Sequence, residues 1–478
     1  MIYPPQTSLI PVTVAIARFV ENHGFTGIYP FWYLGVPVKF LAGPIIPSLL
    51  VGLHKLLPAF SFFDLSYALI FVSFIVGAFG WGMLTWMLSK NKKMGLVAGI
   101  LFLILPWKWL SALALSEVSV VVAVNVLPLV LVVWYRYLGR GGRLNLLFSV
   151  AVLSVLLFIN TSIIPTLVVG MAAVSLAASF REGRFRNLSH YIKRLLNILI
   201  LALAVVTVWY PPAFWWTILV NPSLGGASGW QVIFRLFDFL KTFLPFSMAV
   251  FVVFLAGKIK NKLAVFSLIW LFTFAFLTFF RFLANVDFWQ DWTSWFFELE
   301  IGLALVLAWL FPYFVRGIKI GVVDKKISFV MVCCLLLPFV VTWNIYNRLS
   351  RPALITTSLP AGISSLEQLN QVANGKKVFL SGSTVFWANS LYDLYQIRGG
   401  RDEASTNPGW LKASYEIREG FDPQKTIASL KKLGVVYILV HGADSLEYYH
   451  DFKNPEKWDK IGRKIWEKQG DMIYKIDY

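Results

Sequence analysis

Between Asp64 and Glu182 the chain carries a single acidic residue, Glu117, inside SALALSEVSVVVAVNVLPL (Ser111 to Leu129). It stands between two apolar runs of membrane-spanning length. Charge near hydrocarbon costs a few kcal/mol unless it is hydrated or paired. Two chemistries fit this placement. The carboxylate lines a cavity at the mouth of the helix pair, as a base, a metal ligand or an acceptor for sugar hydroxyls. Alternatively it is a solvated helix N-terminus, where the helix dipole favours negative charge.

A second group lies in RFLANVDFWQDWTSWFFELE, residues 281–300. Asp287 and Asp291 are further candidate catalytic carboxylates, and Glu298 a candidate substrate contact. A divalent ion, Mg or Mn, could bridge a carboxylate to a phosphate. Trp289, Trp292 and Trp295 offer indole faces on which a sugar could stack. Arg281, which ends an apolar helix, and Arg235 suit a lipid phosphate. Lys108 and Lys241 lie at similar depth and read as ordinary interfacial cations with snorkelling side chains. The five histidines, at 23, 54, 190, 441 and 450, show no metal-ligand spacing, and His441 reads as a structural residue at a strand end.

The elements that must position these groups are membrane helices. The 478 residues are 58% hydrophobic and 17% aromatic, with many apolar runs of about 18 residues or more. The candidate spans are 65–89, 94–110, 118–138, 145–161, 163–180, 195–218, 244–257, 263–281, 296–315 and 327–347. The net charge of +18 is concentrated in short loops, with 25 basic against ten acidic residues before Arg348. Every second loop is basic, through Lys90, Lys92 and Lys93; Arg136, Arg140 and Arg143; Arg181, Arg184, Arg186, Lys193 and Arg194; Lys258, Lys260 and Lys262; Arg316, Lys319, Lys325 and Lys326. The positive-inside rule places these loops in the cytoplasm. It accounts for the charge, so no nucleic-acid partner is implied. Glu117 and residues 281–300 then face outward, as do the segment before Asp64 and the tail after Asn347.

Three domains follow: residues 1–63, an outer loop whose segments 8–22 and 45–57 form short interfacial helices broken by Pro30, Pro37, Pro44 and Pro47; residues 64–347, the membrane domain; and residues 348–478, a small extracytoplasmic α/β domain. In the tail, KKVFLSG and GVVYILVHG read as buried strands. DPQKTIASLKKLG reads as a helix capped by Asp422, with Pro423 at its first position and Gly434 at its end. EKWDKIGRKIWEKQG reads as an amphipathic helix before a closing strand, DMIYKI. The Trp and Tyr residues of the outer loops read as an aromatic belt. Cys333 and Cys334 are adjacent in the last span, so the tail has no disulfide framework. The opening residues show no signal-peptide pattern. Carrying roughly 60 residues outward calls for a spanning helix ahead of them, an eleventh, upstream of Met1.

FWYLGVPVKFLAGPIIPSLL, LALSEVSVVVAVNVLPLVL and the tail LKKLGVVYILVHG…GDMIYKI together resemble the 6-pyruvoyl-tetrahydropterin-synthase-related, or YfhO-like, membrane proteins of the GT-C glycosyltransferase superfamily. The resemblance implies a membrane transferase. Such an enzyme takes a sugar from a polyprenyl-phosphate donor and attaches it to an envelope glycan, lipid or protein outside the cytoplasm. The family's acid in its second outer loop matches ALSE at Glu117. Its first outer loop usually carries an acid after the first helix, where this chain retains Glu21 before Asp64. The histidine often found at the end of LLFINTSIIP is replaced by Asn160 and Thr161. Two other classes stay open. A transporter of lipid-linked glycan would show repeats and intramembrane charges, which are scarce here. A non-catalytic scaffold of envelope assembly would use the tail to bind partners.

Overall fold

The computed structural model describes residues 1–478 except 182–183, 186, 222–229, 235–236, 238–242, 256–260, 285–291, 321–324, 350, 408 and 478, with the backbone alone at 181, 184–185, 280–284, 292–294 and 318–320. In chain order the helices are α1 (Ile10–His23), α2 (Val38–Leu41), α3 (Ile45–Leu56), α4 (Phe62–Ser89), α5 (Lys92–Ile104), α6 (Trp107–Ala114), α7 (Val118–Arg140), α8 (Arg143–Ile159) and α9 (Ile164–Ser179). They continue as α10 (Leu188–Val206), α11 (Pro212–Val220), α12 (Leu244–Leu255), α13 (Lys262–Ala284), α14 (Trp292–Ile320) and α15 (Lys325–Arg348). The last four are α16 (Ser365–Ala373), α17 (Thr384–Leu391), α18 (Gly409–Glu419) and α19 (Pro423–Leu433). The strands are β1 (Ile28–Tyr29), β2 (Val36–Pro37), β3 (Phe180–Arg181), β4 (Arg184–Phe185), β5 (Lys377–Phe379), β6 (Tyr395–Gln396), β7 (Tyr437–His441), β8 (Gly462–Lys468) and β9 (Asp471–Ile476).

Two compact units result: residues 68–209 with 233–352, and residues 1–67 with 210–232 and 353–478. The first is helical. Among the described residues of the chain, seven helices are long and apolar enough to cross a membrane, and eight if the bent pair α5–α6 forms one span. The remaining expected spans fall on the shorter α8 and α12. The expected span at 195–218 is not continuous. α10 stops at Val206, and α11 starts anew at Pro212. The pair Pro211–Pro212 explains the break, since each proline removes a backbone donor and clashes with the preceding turn.

α4 and α5 pack with their backbones close. A Cβ at Gly95 would stand 2.6 Å from the Gly82 carbonyl oxygen, and one at Gly99 would stand 2.9 Å from the Ala78 carbonyl oxygen. Small residues at such spacing let two membrane helices approach where lipid supplies no hydrophobic drive. Gly95→Val is therefore expected to cost about 1–3 kcal/mol by overpacking, read as a lower apparent Tm of the purified protein. Gly52→Ala, whose Cβ would meet nothing within 4 Å, is the matched control.

The second unit is a five-stranded sheet in the order β6-β5-β7-β9-β8, parallel from β6 to β7 and antiparallel through β9 and β8. α19 forms as its sequence directs. The Asp422 side chain accepts from the amides of Gln424 and Lys425, and Gly434 takes a left-handed φ of 70°. The expected helix at 456–470 is instead a 3₁₀ turn, Pro455–Lys460, followed by β8. Gln469 and Gly470, with φ of 50° and 79°, make a two-residue hairpin loop between β8 and β9. That turn requires positive φ at both positions. A glycine ending a helix and a glycine closing such a hairpin leave the same mark on a sequence.

Residues 10–42 join the core of this unit. Tyr29, Trp32 and Tyr33 are buried with Val12 and Ile16 among Trp410, Ile417, Leu430 and Tyr474. These rings therefore belong to a protein core rather than to an aromatic belt. Their polar ends are satisfied: Trp32 Nε1 donates to Asn389 Oδ1 at 2.9 Å and the Tyr33 hydroxyl donates to Asp402 Oδ1 at 2.8 Å. α1 is also largely buried, and Pro47 sits inside the first turn of α3 without breaking it, where a missing N–H costs nothing.

Asp451 ties the loop after β7 to the rest of the unit. It accepts from Ser381 Oγ at 2.6 Å and lies 3.2 Å from Arg418 Nη1 and 3.5 Å from Arg398 Nη1. Burial opposes its ionisation, but the Ser381 hydrogen bond and the two guanidinium charges outweigh it and hold the carboxyl below its ordinary 3.8. A depressed acid stabilises the fold above the unfolded pKa, and this contribution disappears as pH falls through the folded value. Asp451→Asn is expected to lower stability at neutral pH and to flatten the acid limb below about pH 4, measured by tryptophan fluorescence.

Candidate functional site at one end of the membrane helices

The buried acids described in the helical unit, Glu117, Glu298 and Glu300, lie where α6 leads into α7 and where α14 begins. This is the end opposite the basic loops. α6 is a short helix between Leu105–Pro106 and Leu115–Ser116. Pro106 cannot extend α5, and the chain turns by 47° at the break.

Glu117 follows as the N-cap residue of α7, with φ of −83° and ψ of 145°, yet its side chain makes no capping hydrogen bond. Instead Oε1 accepts from Ser119 Oγ at 3.1 Å. Ser119 Oγ in turn accepts from Asn160 Nδ2 at 2.8 Å. Asn160 Oδ1 accepts from the Ser162 amide at 2.7 Å, which starts the turn into α9. Glu117 is 8% exposed. The carboxylate thus joins a side-chain network that runs from the first turn of α7 to the α8–α9 junction.

One turn into α9, Thr166 Oγ1 donates to Glu298 Oε1 at 3.1 Å. Glu298 is fully buried near the start of α14, and its Oε2 has no hydrogen-bond partner among the described residues. Trp270 Nε1 fixes the same turn by donating to the Glu298 carbonyl at 2.8 Å. Glu298 is thus a buried, half-satisfied carboxyl group in an apolar bundle, a placement that is costly and marks sites in membrane proteins.

Two residues further on, Glu300 does something different. It accepts from the amides of Trp107 at 2.8 Å and Lys108 at 2.9 Å, capping α6 from across the bundle. Lys108 is 1% exposed; its Nζ donates to the Leu105 carbonyl at 2.8 Å and lies 3.9 Å from Glu300 Oε2. Lys108 is a buried ion-pair partner, not a snorkelling interfacial cation. The amides that open a helix need acceptors, and a carboxylate supplies both charge and lone pairs to α6.

The sequence candidates divide accordingly. Glu117 and Glu298 fall at the same end of the bundle, linked through residues 160–166. Trp295 is 1% exposed, its ring centroid 5.8 Å from Phe274; it is packed into the bundle and presents no open face to a sugar. Asp287, Trp289, Asp291 and Arg235 lie outside the described residues, and the side chains of Arg281 and Trp292 are likewise undescribed. Sequence reasoning missed Ser119 and Thr166, since a hydroxyl in an apolar helix carries no pattern of its own. Among the described residues no three His, Cys, Asp or Glu side chains come together to hold a metal ion.

These elements define a polytopic α-helical membrane protein with a small α/β unit. It shares its fold with membrane glycosyltransferases of the GT-C class. The crystal structure of the Archaeoglobus fulgidus oligosaccharyltransferase tethered to an acceptor peptide aligns with a TM-score of 0.52 and 13% identity over 92% of this chain and 65% of that one. The same enzyme in complex with Zn and sulfate aligns at 0.51 and 13% identity over 91% and 64%. The arabinofuranosyltransferase AftD from Mycobacteria aligns at 0.49 and 12% over 100% and 38%. The chain thus spans a little under two thirds of the oligosaccharyltransferase, and the likeness is one of fold. No family model matches the chain, and no curated protein matches it.

Proposed function

We propose that this protein is a GT-C-type glycosyltransferase of the YfhO-like kind, moving a sugar from a polyprenyl-phosphate donor to an envelope glycan, lipid or protein on the outer face of the membrane. The observation that carries the reading is Glu117: a nearly buried carboxylate that makes no capping hydrogen bond and is bonded to Ser119, and through it to Asn160, at the end of a bundle with a glycosyltransferase fold. The solved neighbour tethered to an acceptor peptide fits a macromolecular acceptor.

In this reading Glu117 takes the proton of the acceptor hydroxyl as its oxygen bonds to the anomeric carbon. The bond from that carbon to the phosphate oxygen breaks, and the polyprenyl phosphate leaves with the electron pair. Charge development on an oxocarbenium-like centre is what a fixed carboxylate stabilises best. Ser119 and Asn160 position Glu117. Glu298, carried by α14 and held by Thr166, is the second carboxyl group of the site. Arg235 and Arg281 are assigned to the donor phosphate, and Asp287, Asp291, Trp289 and Trp292 to the substrate-facing loop. A Mg or Mn ion, were one bound, would neutralise charge on the leaving phosphate, and no step depends on it. Mass analysis of envelope glycans from a deletion strain and its complemented parent tests the reading. It requires a species short of sugar in the deletion, restored by the wild-type gene; identical glycans contradict it.

A further inference from the structure

Away from this site, α5, α14 and α15 line a half-open apolar cavity of about 420 Å³, walled by Val97, Leu101, Leu307, Phe311, Met331 and Leu335 among others. Its size is that of a ligand site, which typically measures roughly 300–1,000 Å³. Its wall offers hydrocarbon almost throughout, with Ser328 the one hydroxyl. The lining residues of α15 run from Ser328 to Leu335, about 10 Å at the helical rise. That is less than one leaflet of a hydrocarbon core roughly 30 Å thick.

The chemistry at the end of the cavity names the occupant. Lys92 and Lys93 open α5, Lys325 and Lys326 open α15, and Arg316 lies near the end of α14, all exposed. Val97 is five residues from Lys92, Phe311 five from Arg316 and Met331 six from Lys325, which puts the cations about 7–9 Å along the axes from the lining. Among the described residues of these three helices, the acids are Glu298 and Glu300, both at the far end of α14. An apolar slot lying within one leaflet, beneath five cations, matches a lipid with an acidic head. We propose that the cavity holds an acyl chain of an anionic phospholipid, whose phosphate sits among Lys92, Lys93, Arg316, Lys325 and Lys326. Basic residues attract acidic headgroups at a membrane surface, and the cavity turns that general attraction into a site. The proposal is independent of the catalytic reading.

The test uses the full chain purified in detergent, with phosphatidylglycerol and phosphatidylcholine of matched chains as probes. Native mass spectrometry counts bound lipids, and thermal melting reads their effect. Phosphatidylglycerol is expected to saturate at one tightly bound copy, at least about tenfold tighter than phosphatidylcholine, and to raise the apparent Tm. Leu101→Trp and Met331→Trp, which fill the cavity, should each abolish the bound copy while helical content stays unchanged. The combined Lys→Gln change at 92, 93, 325 and 326 should bring the two lipids within about twofold of each other. Inorganic phosphate should not displace the lipid. Equal binding of both lipids by the wild type, or a bound copy retained in both tryptophan variants, would overturn the proposal.

Discussion

Glu117→Gln is expected to slow sugar transfer by about 10² to 10⁴ with normal expression and melting. Glutamine keeps the size and one acceptor oxygen, so Ser119 retains its partner and the link to Asn160 survives. What disappears is the charge and the ability to take a proton. If the residue only favoured a helix end, the same change would cost a few tenths of a kcal/mol, up to about 1, of dipole interaction, and transfer would persist. The side chain makes no capping hydrogen bond, so even that stability cost should be small. Ser119→Ala should slow transfer less, because it loosens the carboxylate without removing it. A Glu117→Gln protein with near-wild-type transfer would return the residue to a structural role and direct the search to Asp287 and Asp291.

Glu300→Ala is expected to do the reverse: a large loss of stability, about 3–5 kcal/mol. The change strips the acceptor from two α6 amides and leaves the Lys108 ammonium buried without its counter-charge. Removing one partner of a buried pair costs more than the pair contributes, because the other charge stays behind. The apparent Tm and the yield of folded protein measure it. The double change Glu300→Ala with Lys108→Met should recover part of the loss, since no charge is then stranded. Recovery would assign the cost to the ion pair; equal loss in both variants would assign it to the α6 amides.

The contrast between Glu298 and Glu300 shows where the sequence stops being legible. They are two residues apart in one acidic, aromatic segment. In α14 they point to different neighbours, Thr166 on α9 and the first turn of α6. Spacing alone supplies neither partner, because both lie more than 100 residues away. The same distance explains Tyr29, Trp32 and Tyr33. Their aromatic character was visible, but a membrane belt and a protein core call for the same side chains, and the sheet residues that bury them come more than 300 positions later. Local signals fared better. The Asp422, Pro423 and Gly434 punctuation gave α19 its limits, and long apolar runs marked most helices from α4 to α15, the run at 195–218 excepted. Where two local meanings shared one signal, as at Gly470, the hairpin displaced the expected helix. Glu117 was conspicuous for its isolation; that the Ser119 it binds is tied in turn to Asn160, 41 residues on, depended on the fold.

The central claim is that the carboxylate end of this bundle transfers sugar. Purified protein in vesicles, given a radiolabelled sugar on a polyprenyl phosphate and an envelope extract as acceptor, tests it most directly. Label should pass into the acceptor fraction with the wild type and fall to roughly one hundredth or less with Glu117→Gln. Absence of transfer by well-folded wild-type protein across the polyprenyl-phosphate sugars of its own envelope would contradict the claim and favour a scaffold.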